Sequence, residues 1–267
     1  LYRGAITIQP EQGRPLDVPV EYRVYRGQLD PVDIPVGPWG HEIGIPWDGS
    51  DPAAKTWNET MASRSLERLR QYGLTTCSGL PRIRYLGFRD GQPTFDFRAG
   101  DEQMQRLKAA GFNMPVVSYV HLDGLNLYYK DEAAMRAAGF DDYSRFIRTV
   151  FAAIQTHADA AGWLPVYWNL GDEPIGDDLR RAAENAEAYR AAVPVGPPFF
   201  TAATSFTGDK ADDPHFRFAR ALHVANLNLH DEACVGLLRG AGAGWAFYNG
   251  GNRWTYGTYM YKAAKQF

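Results

Sequence analysis

"WLPVYWNLGDEPIGDDLRRAAENAEAYRAA", Trp163–Ala192, carries the decision about the fold. The run WLPVYWNL is apolar, short and without a helical period, which reads as a buried strand. Two adjacent carboxylates follow, Asp172 and Glu173, then Pro174. Beyond them lies an Ala-, Arg- and Glu-rich helical stretch that opens with aspartates, as a helix start should. A strand, a polar turn and a helix make one unit of a parallel sheet, because parallel neighbours need a crossover.

The same unit recurs on both sides. The apolar runs are PVGPW, GLTTCSG, FNMPVVSYVHL, PFFTAATS, LHVANLNL and AGWAFYNG. Between them stand NETMASRSLERLRQYG, GDEQMQRLKAAG, DDYSRFIRTVFAAIQTHADAAG, DPHFRFARAL and DEACVGLLRGAG, several starting at Asp or Asn and several stopping at Gly. Seven units predict a (β/α)8 TIM-type barrel over residues 33–267 that lacks its last strand, since the sequence ends in the helical-looking WTYGTYMYKAAKQF. No Gly-x-Gly-x-x-Gly follows the first run to argue for a dinucleotide fold. Residues 1–32 differ: YRGAITI and LDVPVEYRVYRG alternate polar and apolar around QPEQGRP. They predict a β-hairpin, the edge of a β-sandwich module, because two strands make no core alone. Two insertions interrupt the units. RIRYLGFRDGQPTFDFRAG predicts a second hairpin turning at Asp90-Gly91. DGLNLYYKDEAAMRAAGFDDY is long for a barrel loop and reads as a lid or binding loop.

Composition narrows the partners. A chain of 267 residues, 45% hydrophobic and 22% charged with a net charge of −3, offers no basic field for nucleic acid or an anionic membrane. Cys77 and Cys234 follow no metal or disulfide spacing and read as small buried hydrophobes. No apolar run reaches the roughly 18 to 20 residues of a spanning helix, and LYRGAITIQP lacks the regions of a signal peptide. The sequence opens on Leu1 rather than Met, as expected of a processed form or a fragment. Periplasmic, secreted and cytoplasmic locations all stay open. Aromatic residues make up 13% of the chain, with several of the seven tryptophans close to Gly, Asn or Asp. In a neutral protein that points to sugar binding, with ordinary core packing as the equal alternative for any one ring.

Asp172 and Glu173 emerge where the fourth run ends, at the catalytic mouth of a barrel. Pro174 predicts an extended Glu173. The plain alternative is that Asp172 or Asp177 caps the next helix and Glu173 is merely solvated. Glycoside hydrolysis ordinarily needs two carboxylates, about 5 to 5.5 Å apart in retaining enzymes and about 6.5 to 9.5 Å in inverting ones. The seventh run, WAFYNGGNR, supplies none. Adjacent carboxylates suit instead a reaction in which the substrate's 2-acetamido oxygen attacks the anomeric carbon, one carboxylate supporting the resulting oxazolinium and the other protonating the leaving oxygen. Run ends nominate the remaining pocket residues: Trp39, His41, Tyr119, His121, Trp168, Asn169, Asn226, Asn228, Tyr248, Asn249 and Arg253. Each polar one has an equal structural reading. His121, His223 and Asp123 lack any paired spacing, so no metal and no cofactor is expected.

The Asp-Glu-Pro after the fourth run, YRGAITI and VPVEYRVYRGQLDP ahead of the first, FDF before QRLKAAGFN, and WAFYNGGNRWTYGTYMY together resemble glycoside hydrolase family 123 and its relatives in domain of unknown function 4091. The resemblance implies a β-sandwich before a (β/α)8 barrel, and β-N-acetylgalactosaminidase activity by substrate-assisted retention. It assigns Asp172 to orient the acetamido group and Glu173 to act as general acid. Two alternatives stand beside it: a two-carboxylate barrel glycosidase using Glu173 with Asp231 or Glu232, and a non-catalytic sugar-binding barrel. The expected partner is a glycan, with a further domain or chain completing the barrel.

Overall fold

The computed structural model describes residues 1–23, 34–38, 52–118, 122–204, 213–228 and 232–248. The chain divides into two compact units, Leu1–Pro31 and Val32–Phe267. In the first, β1 (Tyr2–Ile8) and β2 (Leu16–Tyr22) pair antiparallel, with Tyr2 opposite Tyr22 and Ile8 opposite Leu16. This is the predicted N-terminal hairpin. Strand alternation gathers Tyr2, Ile6, Ile8, Leu16, Val18, Val20 and Tyr22 on one face, all exposed. The other face carries the Arg3–Glu21 ion pair and the Thr7 hydroxyl donating to Asp17.

The second unit runs α1 (Pro52–Gln71), β3 (Arg84–Arg89), β4 (Gln92–Asp96), α2 (Arg98–Ala109), β5 (Val116–Ser118), α3 (Glu132–Ala137), α4 (Tyr143–Ala161), β6 (Val166–Asp172), α5 (Gly176–Ala192), β7 (Phe199–Thr204), α6 (Pro214–Ala221), β8 (Val224–Leu227), α7 (Glu232–Gly240) and β9 (Gly244–Phe247). β3 and β4 form the second predicted hairpin. Its loop residues Asp90 and Gly91 have φ of 52° and 74°, the left-handed pair that a two-residue turn requires.

The eight-stranded barrel does not form among the described residues. The sheet has five strands in the order β5-β6-β7-β8-β9, all parallel, curled into half a barrel. The first two apolar runs fail to make ladders. In PVGPW, Pro35 and Pro38 have no N–H to donate to one. GLTTCSG contributes a single bridge, Ser78 to Val117, before Pro81 turns the chain away. The two segments nonetheless run together. Thr75 N donates to Val36 O at 2.8 Å, and Gly37 lies so close that a Cβ there would meet Thr76 O at 2.1 Å. The apolar patterns were right about extended chain and wrong about sheet membership.

One face of the sheet lies under helices. Phe146, Ile147, Val150 and Phe151 of α4, Tyr189 of α5, Phe218 of α6 and Leu238 of α7 pack against Trp168, Leu170, Phe200, Ala202, Ala225 and Leu227. Each fully buried large side chain contributes roughly 1.5–3 kcal/mol. Asp142 caps α4 by accepting from Arg145 N at 3.1 Å, and Gly162, at φ 64°, ends it. A smaller cluster of Leu66, Leu80, Met104, Leu107, Phe112 and Val116 sits with Cys77, whose thiol burial pushes up to about 12. Cys77 and Cys234 are both buried and free. No helix among the described residues is long and apolar enough to cross a membrane.

Candidate active site

The opposite face of the sheet is assembled in rows by the parallel register. Asn169, Thr201, Val224 and Gly244 form one row, and Asp172, Ala203, Asn226 and Ala246 the next. Paired residues of neighbouring strands point the same way. Asp172 should not belong to this face: it stands three residues after Asn169, and an odd offset reverses direction. A bulge restores it. Between Asn169 and Asp172, β6 spends three residues where β7 spends two, Thr201 to Ala203. Gly171 is the residue that makes this possible. A Cβ there would come within 3.2 Å of the Phe218 ring on the helix side.

Glu173 follows immediately and would ordinarily turn to the helix face. Its φ of +45° breaks the alternation. A non-glycine residue in this region costs of order 1–3 kcal/mol and persists only where its surroundings impose it. Pro174 was expected to hold Glu173 extended, and the backbone is left-handed instead. Glu173 N donates to Ala203 O at 3.0 Å, fixing the turn to β7. Its Oε1 then accepts from Asn228 Nδ2 at 2.5 Å and from the Tyr248 hydroxyl.

Those two donors each stand one residue past a strand. Asn228 N donates to Thr204 O at 3.2 Å and Tyr248 N to Leu227 O at 3.1 Å, so the ladder continues through both. Neighbouring strands lie about 4.8 Å apart, which would put β9 about 14 Å from β6 on a flat sheet. The curl of the half-barrel brings Tyr248 onto Glu173. Between the carboxylates and these donors the row is built small, with Ala203 and Ala246. Beneath it Asn169 and Asn226 are buried, 2% and 6% exposed, and the Nδ2 of each has no hydrogen-bond partner among the described residues. Two amide donors therefore stand on the same face as the two carboxylates.

Of the residues nominated by sequence, Glu173, Asn228 and Tyr248 are in direct contact, with Asp172, Asn169 and Asn226 on the same face. Trp168 is not part of the group. It is 2% exposed on the helix face, edge-on to Phe151 at 5.4 Å. Trp39, His41, Tyr119, His121, Asn249, Arg253 and Asp231 lie outside the described residues, and Glu232 opens α7. His223 stands at the other end of β8, where its Nδ1 accepts from Phe200 N at 2.9 Å. Burial, helped by Arg190, lowers its pKa to about 4. It is a neutral structural histidine at pH 7. No group of three or more His, Cys, Asp or Glu able to hold a metal occurs among the described residues. The bulge and the left-handed glutamate were not anticipated, although Gly171 inside a strand is the signal for such a site. Compared with protein-family models and with curated proteins, the chain gives no match.

Proposed function

We propose that the chain is a glycoside hydrolase that removes terminal β-linked N-acetylhexosamine, GalNAc in preference, with the substrate's own acetamido group as nucleophile. The observation that carries this reading is the placement of Glu173. A strained backbone and two donors from distant strands hold its Oε1, beside a second carboxylate on the same face. The resemblance of the sequence to glycoside hydrolase family 123 is the source of the assigned roles and of the GalNAc preference.

In the first step the acetamido oxygen forms a bond to C1 as the glycosidic C1–O bond breaks. Protonated Glu173 gives its proton to the departing oxygen through Oε2, the oxygen that Asn228 and Tyr248 do not engage. The positive charge that develops on the oxazolinium faces the negative charge of Asp172. In the second step water adds to C1, gives its proton to Glu173 and reopens the ring, so the anomeric configuration is retained and both carboxylates return to their starting state. Ala203 and Ala246 leave room for a sugar ring above the buried Asn169 and Asn226.

Aryl glycosides of β-GalNAc, β-GlcNAc and β-galactose test the reading. Turnover confined to the N-acetylated pair is expected. Equal turnover of the plain galactoside would move the chemistry to a protein nucleophile, and binding without turnover to a sugar-binding protein.

A further inference from the structure

A second feature lies at the same end of the sheet, where the loop after β5 meets the β3–β4 hairpin. Here the surface opens into a cleft of about 1040 Å³. That is at the top of the range of about 300–1,000 Å³ for small-molecule sites. None of its lining residues belongs to the carboxylate group described above. Its floor is apolar, formed by buried Ile83, Leu122 and Leu125.

Its walls are charged but balanced: Arg82, Arg84 and Arg98 against Asp96, Glu102 and Asp123. Asp96 accepts from Arg98 Nε at 2.9 Å and Nη2 at 2.6 Å, and these bonds hold its carboxyl down to about 2. Arg84 stands 3.9 Å from Asp123. Such a wall has no net charge to favour an anion or a cation. What it offers is donors next to acceptors. Tyr128 and Tyr129, both half-buried, complete the lining, and the Arg181 guanidinium covers the Tyr129 ring at 5.2 Å.

The walls are preformed. Tyr85 N donates to Asp123 O at 2.7 Å and Asp123 N to Ile83 O at 2.9 Å, tying loop to hairpin. Gly124, at φ +85°, permits the approach, since a Cβ would stand 2.8 Å from Tyr85 O. Asn126 Oδ1 accepts from Tyr128 N at 2.9 Å, and buried Asn185 of α5 donates to Leu127 O at 2.8 Å. The segment expected to be a lid or binding loop is thus fastened on both sides where it lines the cavity.

A neutral wall of paired donors and acceptors over an apolar floor, with tyrosine at its side, suits a ligand whose hydroxyls both give and accept hydrogen bonds and whose C–H faces are apolar. We propose that this cavity binds neutral sugar residues, and that it holds the aglycone side of the glycan whose terminal sugar is cleaved at Glu173. The second half rests on the hydrolase reading above.

The test compares two substrates in Arg98→Met and Tyr128→Leu variants. Arg98 is highly exposed, so its replacement leaves the fold intact. An aryl β-N-acetylhexosaminide extends past the cleaved sugar by one ring that carries no hydroxyls for the cavity wall, whereas a neutral tetrasaccharide ending in the same sugar extends three sugars further. The expected result is a loss of about tenfold in kcat/KM on the tetrasaccharide with the aryl glycoside unchanged. Equal effects on both substrates, or on neither, would overturn the proposal. If the wild type turns over neither, the hydrolase reading falls and calorimetric titration with the same tetrasaccharide decides the cavity. Binding weakened by both variants upholds a neutral glycan site. Absent binding, or tighter binding of a sulfated tetrasaccharide, refutes it.

Discussion

The two faces of the five-stranded sheet are built from the same strands to opposite ends. Under the helices, Trp168, Phe200, Ala202, Ala225 and Leu227 are buried among apolar neighbours. On the other face Asn169 and Asn226 are as deeply buried but keep unmatched amide donors, and Glu173 holds a left-handed backbone. Buried unpaired polar groups cost about 1–3 kcal/mol each, and the Glu173 conformation a similar amount. One face therefore supplies stability and the other consumes it. A protein keeps such a cost where chemistry needs it. Changes to the helix face should unfold the molecule, and changes to the other should disable it while leaving it folded or firmer.

The largest expected effect lies with Glu173, the proposed acid. Glu173→Gln should lower turnover of glycosides with poor leaving groups by about 10² to 10⁴, and far less for a nitrophenyl glycoside. An equal loss on both would remove Glu173 from that role. Trp168→Ala, on the helix face, should cost about 3–5 kcal/mol in urea unfolding. A cost below about 1 kcal/mol would break the contrast between the faces.

His223 gives a pH test of the packed region. Its folded pKa is depressed, so between pH 6.5 and about 4 the unfolded chain binds the proton and the folded chain does not. Stability should be complete above pH 6.5 and fall as the pH drops toward 4, on the order of 1–3 kcal/mol. His223→Gln should flatten that dependence, and an unchanged slope would exclude the histidine as its source. The smallest effects sharpen the comparison in the other direction. Asn169→Leu and Glu173→Gly, each removing a polar or backbone cost, should raise stability by about 1 kcal/mol while reducing turnover. Destabilisation by both would mean that this face is structural after all.

Much of this arrangement is legible in the sequence. Asp-cap and Gly-stop signals placed α4, α6 and their neighbours, and the apolar runs located all five parallel strands. The ends of those runs nominated Asn228 and Tyr248, which the curled sheet brings to Glu173. What escaped was direction. WLPVYWNL is apolar but for Asn169 and shows no clean alternation, so its pattern does not assign Trp168 to the helix face. PVGPW and GLTTCSG have the composition of strands, but ladder membership depends on partners distant in sequence, and the two prolines in the first each remove a donor. The cavity escaped because its walls come from a hairpin, a helix start and a loop whose meeting is a matter of tertiary packing.

The bulge at Gly171 makes β6 behave like a message with a reading frame. Up to Asn169 odd positions face the carboxylate side, and from Asp172 onward the phase is inverted by the one extra residue. Deleting Gly171 would restore plain alternation and leave Asp172 on the carboxylate side, whereas straightening the bulge at unchanged length would be a frameshift in space: every residue would keep its identity, yet Asp172 would be addressed to the layer where Phe218 and Ala202 lie. A charge cannot be delivered there without several kcal/mol of desolvation, so the chain would have to unwind the end of the strand to avoid it. Substitutions here that straighten the strand, such as a bulky side chain at Gly171, are therefore less tolerable than most others in β6. Among related chains, the segment between Asn169 and Asp172 should hold either two residues with a small one at the bulge or a single residue in plain alternation.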